Sequence, residues 1–354
     1  MCCTAMADKK PSKKPAATTA KSQSAFTSGQ EGLFGVLRRD ADYFFDIPDS
    51  LLSRRFLATV RFTSTPAGTG KYGGESVNQQ TVYWEPAPGN VMLLRSDLMV
   101  NMGNPIDAID RAVKTSNNNP IIGTFKIEGH RNGHYLVKVT SFFNEDNPAL
   151  GVGRDIKNKF GLQGYMPQAS YIESIKTFPL NTEIRTVKTW MTSTTSTIAG
   201  SNTGRVTLGL NVSFVLLPKD PMIPRLFDPR VGYFTDTYYV FADNQQRSET
   251  MRFITRWRLE PKDSTDMEKM KRGELVEPKK PIVYYIDPAT PKKWRPYLIQ
   301  GVNDWQKAFE HAGFKNAIMA KEWPVDCDSM SMEDARFSVI RYYASPIENA
   351  YGPQ

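Results

Sequence analysis

The sequence predicts an α+β protein, β-rich and mostly antiparallel through residue 261 and α/β thereafter, and three stretches carry that prediction. Ile121 to His130 and His134 to Phe142 flank Asn132-Gly133, the strongest two-residue hairpin signal. Val206, Leu208, Leu210, Val212, Phe214 and Leu216 alternate on one face, so that strand covers a core on one side. Pro281 to Lys321 reads strand, helix, strand, and such a crossover lays parallel strands beneath its helix.

Taken in order, residues 1–30 are rich in Lys, Ala, Ser, Thr and Pro and read as a disordered basic tail. Ala5-Met-Ala7 before Asp8-Lys-Lys also fits the small-x-small rule for signal-peptide cleavage, without the apolar stretch that should precede it; a clipped signal peptide and a plain tail both remain open. Residues 31–76 form a small module. Leu33–Leu37 and Tyr43–Ile47 pair across the five-residue connection 38–42, Pro48 opens a helical turn that sends Leu51, Leu52 and Phe56 inward, and Leu57–Phe62 is a strand before a Gly-rich loop from Thr65 to Ser76. Gly68-Thr-Gly-Lys71 in that loop lacks the phosphate-loop spacing.

Residues 77–261 form a β-rich domain. Thr81–Trp84 and Val91–Leu94 are strands, and Asn104-Pro105 caps a short helix with Ile106, Ile109 and Val113 inward. In the Asn132-Gly133 hairpin, Arg131 faces His134 and His130 faces Tyr135. The two imidazoles therefore lie on opposite faces of the ribbon and cannot share a metal. Glu183–Thr197 and Gly204–Leu217 pair around a polar tip whose Thr192–Thr197 run reads as an exposed strand face. Tyr238–Phe241 and Met251–Leu259 are further strands, and 262–280 reads as a charged linker.

Residues 281–354 begin an α/β unit. Ile282–Ile286 is a strand, and Pro296 sits in the first turn of one long helix. Tyr297, Leu298, Gly301, Val302, Trp305, Ala308, Phe309 and Ala312 form its inward face, and Gly313 caps it in the left-handed conformation. Asn316–Lys321 and Phe337–Tyr343 are the next strands. Ala350–Gln354 reads as the entry to a turn, which suggests a truncated domain.

The formal charge of +8 suggests a nucleic-acid partner until it is located: five lysines against Asp8 place half of it in the first thirty residues. The body has no clustered basic stripe, so nucleic acid is not expected as a partner. No apolar run reaches the ~18 residues a membrane-spanning helix needs. Cys2, Cys3 and Cys327 make no disulfide framework, and the histidines are His130, His134 and His311, the last in the final turn of the long helix.

Over residues 31–354 the chain resembles the front half of bacterial zinc-dependent metalloproteases whose catalytic part is called a Met-zincin domain. The resemblance rests on Phe45-Asp-Ile-Pro-Asp-Ser-Leu-Leu-Ser-Arg54, Pro224-Arg-Leu-Phe-Asp-Pro-Arg-Val-Gly-Tyr-Phe234, Pro281-Ile-Val-Tyr-Tyr-Ile-Asp-Pro288, Gly301-Val-Asn-Asp-Trp-Gln-Lys-Ala-Phe309 and Ala312-Gly-Phe-Lys-Asn-Ala-Ile318. It implies front domains of unknown role followed from about residue 281 by the start of a metzincin-like domain. It further implies a parent that is a secreted, periplasmic or envelope zinc endopeptidase acting on peptides or proteins. No H-E-x-x-H occurs in this sequence, so no catalytic, cofactor or metal-ligating residue is assigned here, and the chain by itself is expected to be inactive and zinc-free. Pro229-Arg-Val-Gly232 resembles the Pro-Arg-Cys-Gly latency motif of matrix metalloproteases. On that resemblance Asp228 is a candidate latency ligand and Arg230 a side chain able to hold an acidic partner in bidentate fashion; the other reading is a buried turn in which Asp228 accepts backbone hydrogen bonds and Arg230 makes a salt bridge. A non-catalytic β-rich envelope or secreted binding module is the alternative function.

Overall fold

The computed structural model describes residues 26, 28–98, 101–193, 198–325, 327 and 329–345. In chain order the elements are β1 (Ser28–Gln30), β2 (Gly35–Arg39), β3 (Asp42–Pro48), β4 (Phe56–Ser64), β5 (Ser76–Ala87), β6 (Val91–Ser96), β7 (Asn101–Gly103), helix α1 (Ile109–Ser116), β8 (Ile121–Arg131) and β9 (His134–Lys138). Helices α2 (Thr140–Asn144) and α3 (Arg154–Phe160) precede β10 (Leu162–Tyr165), β11 (Tyr171–Thr177), β12 (Asn181–Thr192), β13 (Arg205–Leu216), β14 (Thr235–Phe241) and β15 (Glu249–Ile254). Then follow α4 (Ser264–Lys271), β16 (Ile282–Ile286), α5 (Arg295–Asn303), α6 (Gln306–His311), β17 (Ile318–Glu322) and β18 (Ser338–Ile340).

Twelve strands join one antiparallel sheet in the order β1-β2-β3-β9-β8-β6-β5-β4-β13-β12, with β10 and β11 both on β12. The predicted turn chemistry sets several of its registers. Asn132 and Gly133 both take positive φ, 53° and 76°, and pair Arg131 with His134 and His130 with Tyr135 as predicted. The sheet curls until its ends meet, where Leu33 N donates to Phe178 O at 2.7 Å and Thr177 Oγ1 donates to Phe34 O at 3.0 Å. Alternate residues from these strands point to the inside. Trp84 lies at the centre, its ring 5.1 to 6.4 Å from those of Phe34, Phe45, Phe125 and Phe214. Val206, Leu208, Leu210, Val212 and Phe214 of β13 are buried as their alternation predicts.

Several expectations for this part are corrected. Ser28–Gln30, placed in the tail, pairs with β2, and the Phe26 ring meets that of Phe44 edge-on at 5.4 Å. The connection between β2 and β3 is two residues, with Asp40 at φ 56°, because pairing runs on to Arg39 and Asp42. Residue 76 does not divide two folding units: β4 lies between β5 and β13, so the small module and the β-rich domain complete one sheet. Phe142 belongs to α2, and Thr192 is buried, its hydroxyl donating to Gly161 O at 3.0 Å. Thr194–Thr197, the tail through Ala25 and the stretch from Ala350 lie outside the described residues.

A second sheet has the order β15-β14-β7, with β7 parallel to β14. Beside it, the Asp243 carboxylate caps α1 by accepting from Ala108 N and Ile109 N at 3.1 and 3.0 Å. Ile106 is not inward but 90% exposed, and regular pairing of β15 ends at Ile254 rather than Leu259.

The third sheet is parallel, β17-β16-β18, with α5 and α6 as the crossover between β16 and β17. The stretch 262–280 is not a linker. Asp263 caps α4, Pro261 bridges Pro278, and Val276 is buried with Phe314 and Ala317. The single long helix is broken by a turn at Asp304–Trp305, where Trp305 N and Ala308 N bond three residues back, to Val302 O and Trp305 O. Polar anchoring sets its rotation. Asn303 Oδ1 accepts from Ala320 N at 3.0 Å, and Gln306 Oε1 accepts from Ala317 N and Ile318 N at 3.0 and 3.3 Å, satisfying otherwise free donors beside β17. Leu298, Val302, Gln306 and Phe309 thus face inward, while Tyr297 and Trp305, predicted inward, are 68% and 63% exposed. Gly313 caps α6 at φ 94°, with Phe314 N on Phe309 O and Gly313 N on Glu310 O, both at 2.9 Å.

Candidate functional site

The outer face of β12 meets the C-terminal unit through a polar seam. Ile184 points into the barrel, so Glu183 and Arg185 point outward, where the segment 331–336 covers them. Glu183 is buried, with Asn181 Nδ2 donating to Oε1 at 2.6 Å, Asn211 Nδ2 donating to Oε2 at 2.5 Å and Ser213 Oγ donating to Oε1. Burial pushes its carboxyl above the usual range against these three donors. Glu333, from the C-terminal unit, pairs with Lys176 at 2.8 Å and with Arg185. A second contact lies where Tyr343 packs on Gly73 and Gly74, positions where a Cβ would meet the ring. The seam holds a backbone segment by complementary polar groups.

Inside the barrel, two residues before Trp190 on the same strand face, sits Lys188. It is buried, and burial lowers its ammonium to about 8, with Asp146 opposing that shift. Its Nζ donates to Glu145 O; Lys157 pairs with Asp146 at 2.6 Å, and Trp190 Nε1 donates to the same carboxylate oxygen at 3.2 Å. Tyr165 OH donates to Asn144 O, and burial raises its hydroxyl. Neither Glu183 nor Lys188 is singled out by sequence reasoning. The available signal was a charged residue within the β-former run Asn181–Thr192.

The predicted site residues remain apart. His130 Nε2 lies 3.0 Å from Asp49 Oδ1 and its ring stacks on Tyr135, while His134 Nδ1 lies 3.1 Å from Asp46 Oδ2. His311 is exposed at the end of α6. Among the described residues there is no group of three or more His, Cys, Asp or Glu that could hold a metal ion. Asp228 and Arg230 do meet, in an exposed turn rather than a buried one. Arg230 N and Nε donate to Asp228 Oδ1 at 3.0 and 2.9 Å and Nη2 donates to Oδ2, which holds the Asp228 carboxyl below its usual range. Both carboxylate oxygens are engaged by Arg230.

A family model described as Domain of unknown function (DUF5117) matches residues 74–262, more than half of the chain. The chain belongs to the DUF5117 family. A second model, Domain of unknown function (DUF5118), matches residues 20–65. No curated protein and no solved structure matches the chain. The DUF5117 region holds β5 through β15 and the DUF5118 region β1 through β4, and because β4 lies between β5 and β13 the barrel is completed only by both. The unit around β16 lies outside both matched regions. Among the described residues, no helix of this DUF5117 protein is long and apolar enough to cross a membrane.

Proposed function

We propose that this chain is the N-terminal portion of a secreted or envelope zinc-dependent metallopeptidase acting on peptide or protein substrates. On this reading the barrel is a non-metal-binding front part, and the unit around β16 begins a metzincin-like catalytic domain. One observation carries the reading: the stretches from Pro281 to Ile318 that resemble Met-zincin proteins form a strand-helix-strand crossover, with β17 and β18 both parallel to β16. The polar seam adds support, since it fixes that unit against the barrel at Glu333.

Following the reading frame past the codon for Gln354 tests the proposal. A downstream H-E-x-x-H helix supports it, and a stop codon overturns it. On the chain as given, we expect neither stoichiometric zinc by metal analysis nor chelator-sensitive cleavage of a denatured protein substrate. The alternative of a non-catalytic β-rich binding module is favoured by one feature, the exposed apolar strip from Ile223 to Phe234.

A further inference from the structure

Between β13 and β14 the chain runs without regular structure along the free edge of β15, tied by Phe227 N to Arg252 O at 2.8 Å, Ile254 N to Arg225 O at 3.0 Å and Thr255 N to Phe234 O at 2.9 Å. These bonds fix the segment against β15. Ile223, Leu226 and Phe234 are 84%, 62% and 68% exposed, and Val231 and Tyr233 are exposed beside them. Scattered surface apolar residues are ordinary, but five fall within the twelve residues from Ile223 to Phe234, a local density that sets this segment apart.

Arginines outnumber carboxylates beside this segment. Arg225, Arg230, Arg252, Arg256 and Arg258 lie on the segment or the neighbouring chain, and of these Arg230 pairs with Asp228 and Arg258 with Glu260. Among the described residues no carboxylate forms a salt bridge with Arg225, Arg252 or Arg256. The Arg256 guanidinium donates to Ile223 O at 2.9 Å, and that of Arg252 lies 4.0 Å from the Phe227 ring centroid, so these cations are held among the apolar side chains.

We propose that this strip docks the protein on an anionic lipid surface, with Ile223, Leu226, Val231, Tyr233 and Phe234 entering the headgroup layer and Arg225 and Arg256 meeting lipid phosphates. Exposed aliphatic and aromatic side chains beside arginines are the combination that an anionic bilayer interface accommodates. The backbone suits a shallow approach. Pro221, Pro224 and Pro229 have no N–H to desolvate, and the N–H groups of Phe227, Arg230, Val231 and Tyr233 are bonded within the fold. A second copy is disfavoured as occupant, because a two-fold contact through the strip would bring its arginines against their own copies. The inference holds whether or not the parent is a peptidase.

The test is co-sedimentation of the full chain with vesicles of phosphatidylglycerol and phosphatidylcholine, and with phosphatidylcholine alone. Binding to the anionic vesicles is expected, with at least a tenfold loss for Ile223→Ser/Phe234→Ser and for Arg225→Glu/Arg256→Glu, the folding of each variant being checked by circular dichroism. Absence of binding to anionic vesicles at low salt overturns the proposal. Equal binding by wild type and both variants also overturns it, by assigning the attraction to the lysines of the first thirty residues. A concentration-dependent dimer in gel filtration that the Ile223→Ser/Phe234→Ser variant abolishes, without vesicle binding, would make the strip a contact between copies instead.

Discussion

Asn181 holds the backbone at Glu333 as a neighbouring strand would. Its Nδ2 donates to Glu333 O at 2.7 Å, and its Oδ1 accepts from Ala335 N at 2.9 Å. A buried side-chain amide thus joins the barrel to the C-terminal unit with donor and acceptor both used.

Replacing Asn181 with Ala should loosen that joint at a cost of about 1 to 3 kcal/mol, the usual range for stranding buried polar partners. Hydrogen exchange at residues 331–336 should rise while the barrel strands stay protected. Unchanged protection of 331–336 would show that Tyr343 and the Glu333 ion pairs hold the unit without Asn181.

Lys188 gives a pH dependence of definite sign. Its folded value of about 8 lies below the ordinary 10.5, so below pH 8 the fold carries the full penalty of a buried ammonium. Between pH 8 and 10.5 the unfolded chain binds more protons, so this lysine makes stability rise with pH, by about 3 kcal/mol over the window. Denaturant titrations of wild type and Lys188→Met at pH 7.5 and 9.5 should show the gap between the two proteins shifting toward wild type at the higher pH. A constant gap would mean that the ammonium is not penalised.

Trp305 is mostly exposed, so Trp305→Ala should change stability by less than about 1 kcal/mol. Val302→Ala, on the inward face, should cost more. Chemical denaturation that ranks the two variants the other way would show that α5 and α6 dock on the opposite face.

Two glycines of the crossover should respond with opposite signs. At Gly313, φ is 94° and a Cβ would lie 2.6 Å from Met270 Cε, so Gly313→Ala should destabilise by about 1 to 2 kcal/mol. Gly301 lies in α5 with nothing within 4 Å of an added Cβ, so Gly301→Ala should stabilise by up to about 1 kcal/mol. Melting temperatures of both variants check the pair, and a lower value for Gly301→Ala would contradict the open helical surface there.

Local chemistry alone determined much of this protein. Asn132-Gly133 specifies its hairpin because few dipeptides accept positive φ at both positions, and the alternation from Val206 to Leu216 specifies which face is buried because side chains of a strand alternate. Gly313 marks its helix end for the same conformational reason, and the histidines are separated by the hairpin register itself. The turn at Asp228 is legible from Pro229 and Gly232, whereas its exposure and the pairing of Asp228 with Arg230 are not. Tertiary structure decided what depends on distant partners. The insertion of β4 between β5 and β13, the burial of Glu183 beneath residues 331–336 and of Lys188 beside Asp146, and the inward face of α5 and α6 all rest on contacts between residues far apart in the chain. A periodic pattern can show that a helix has an apolar stripe. Here Asn303 and Gln306, by satisfying the free backbone donors beside β17, turned that stripe partly toward the surface.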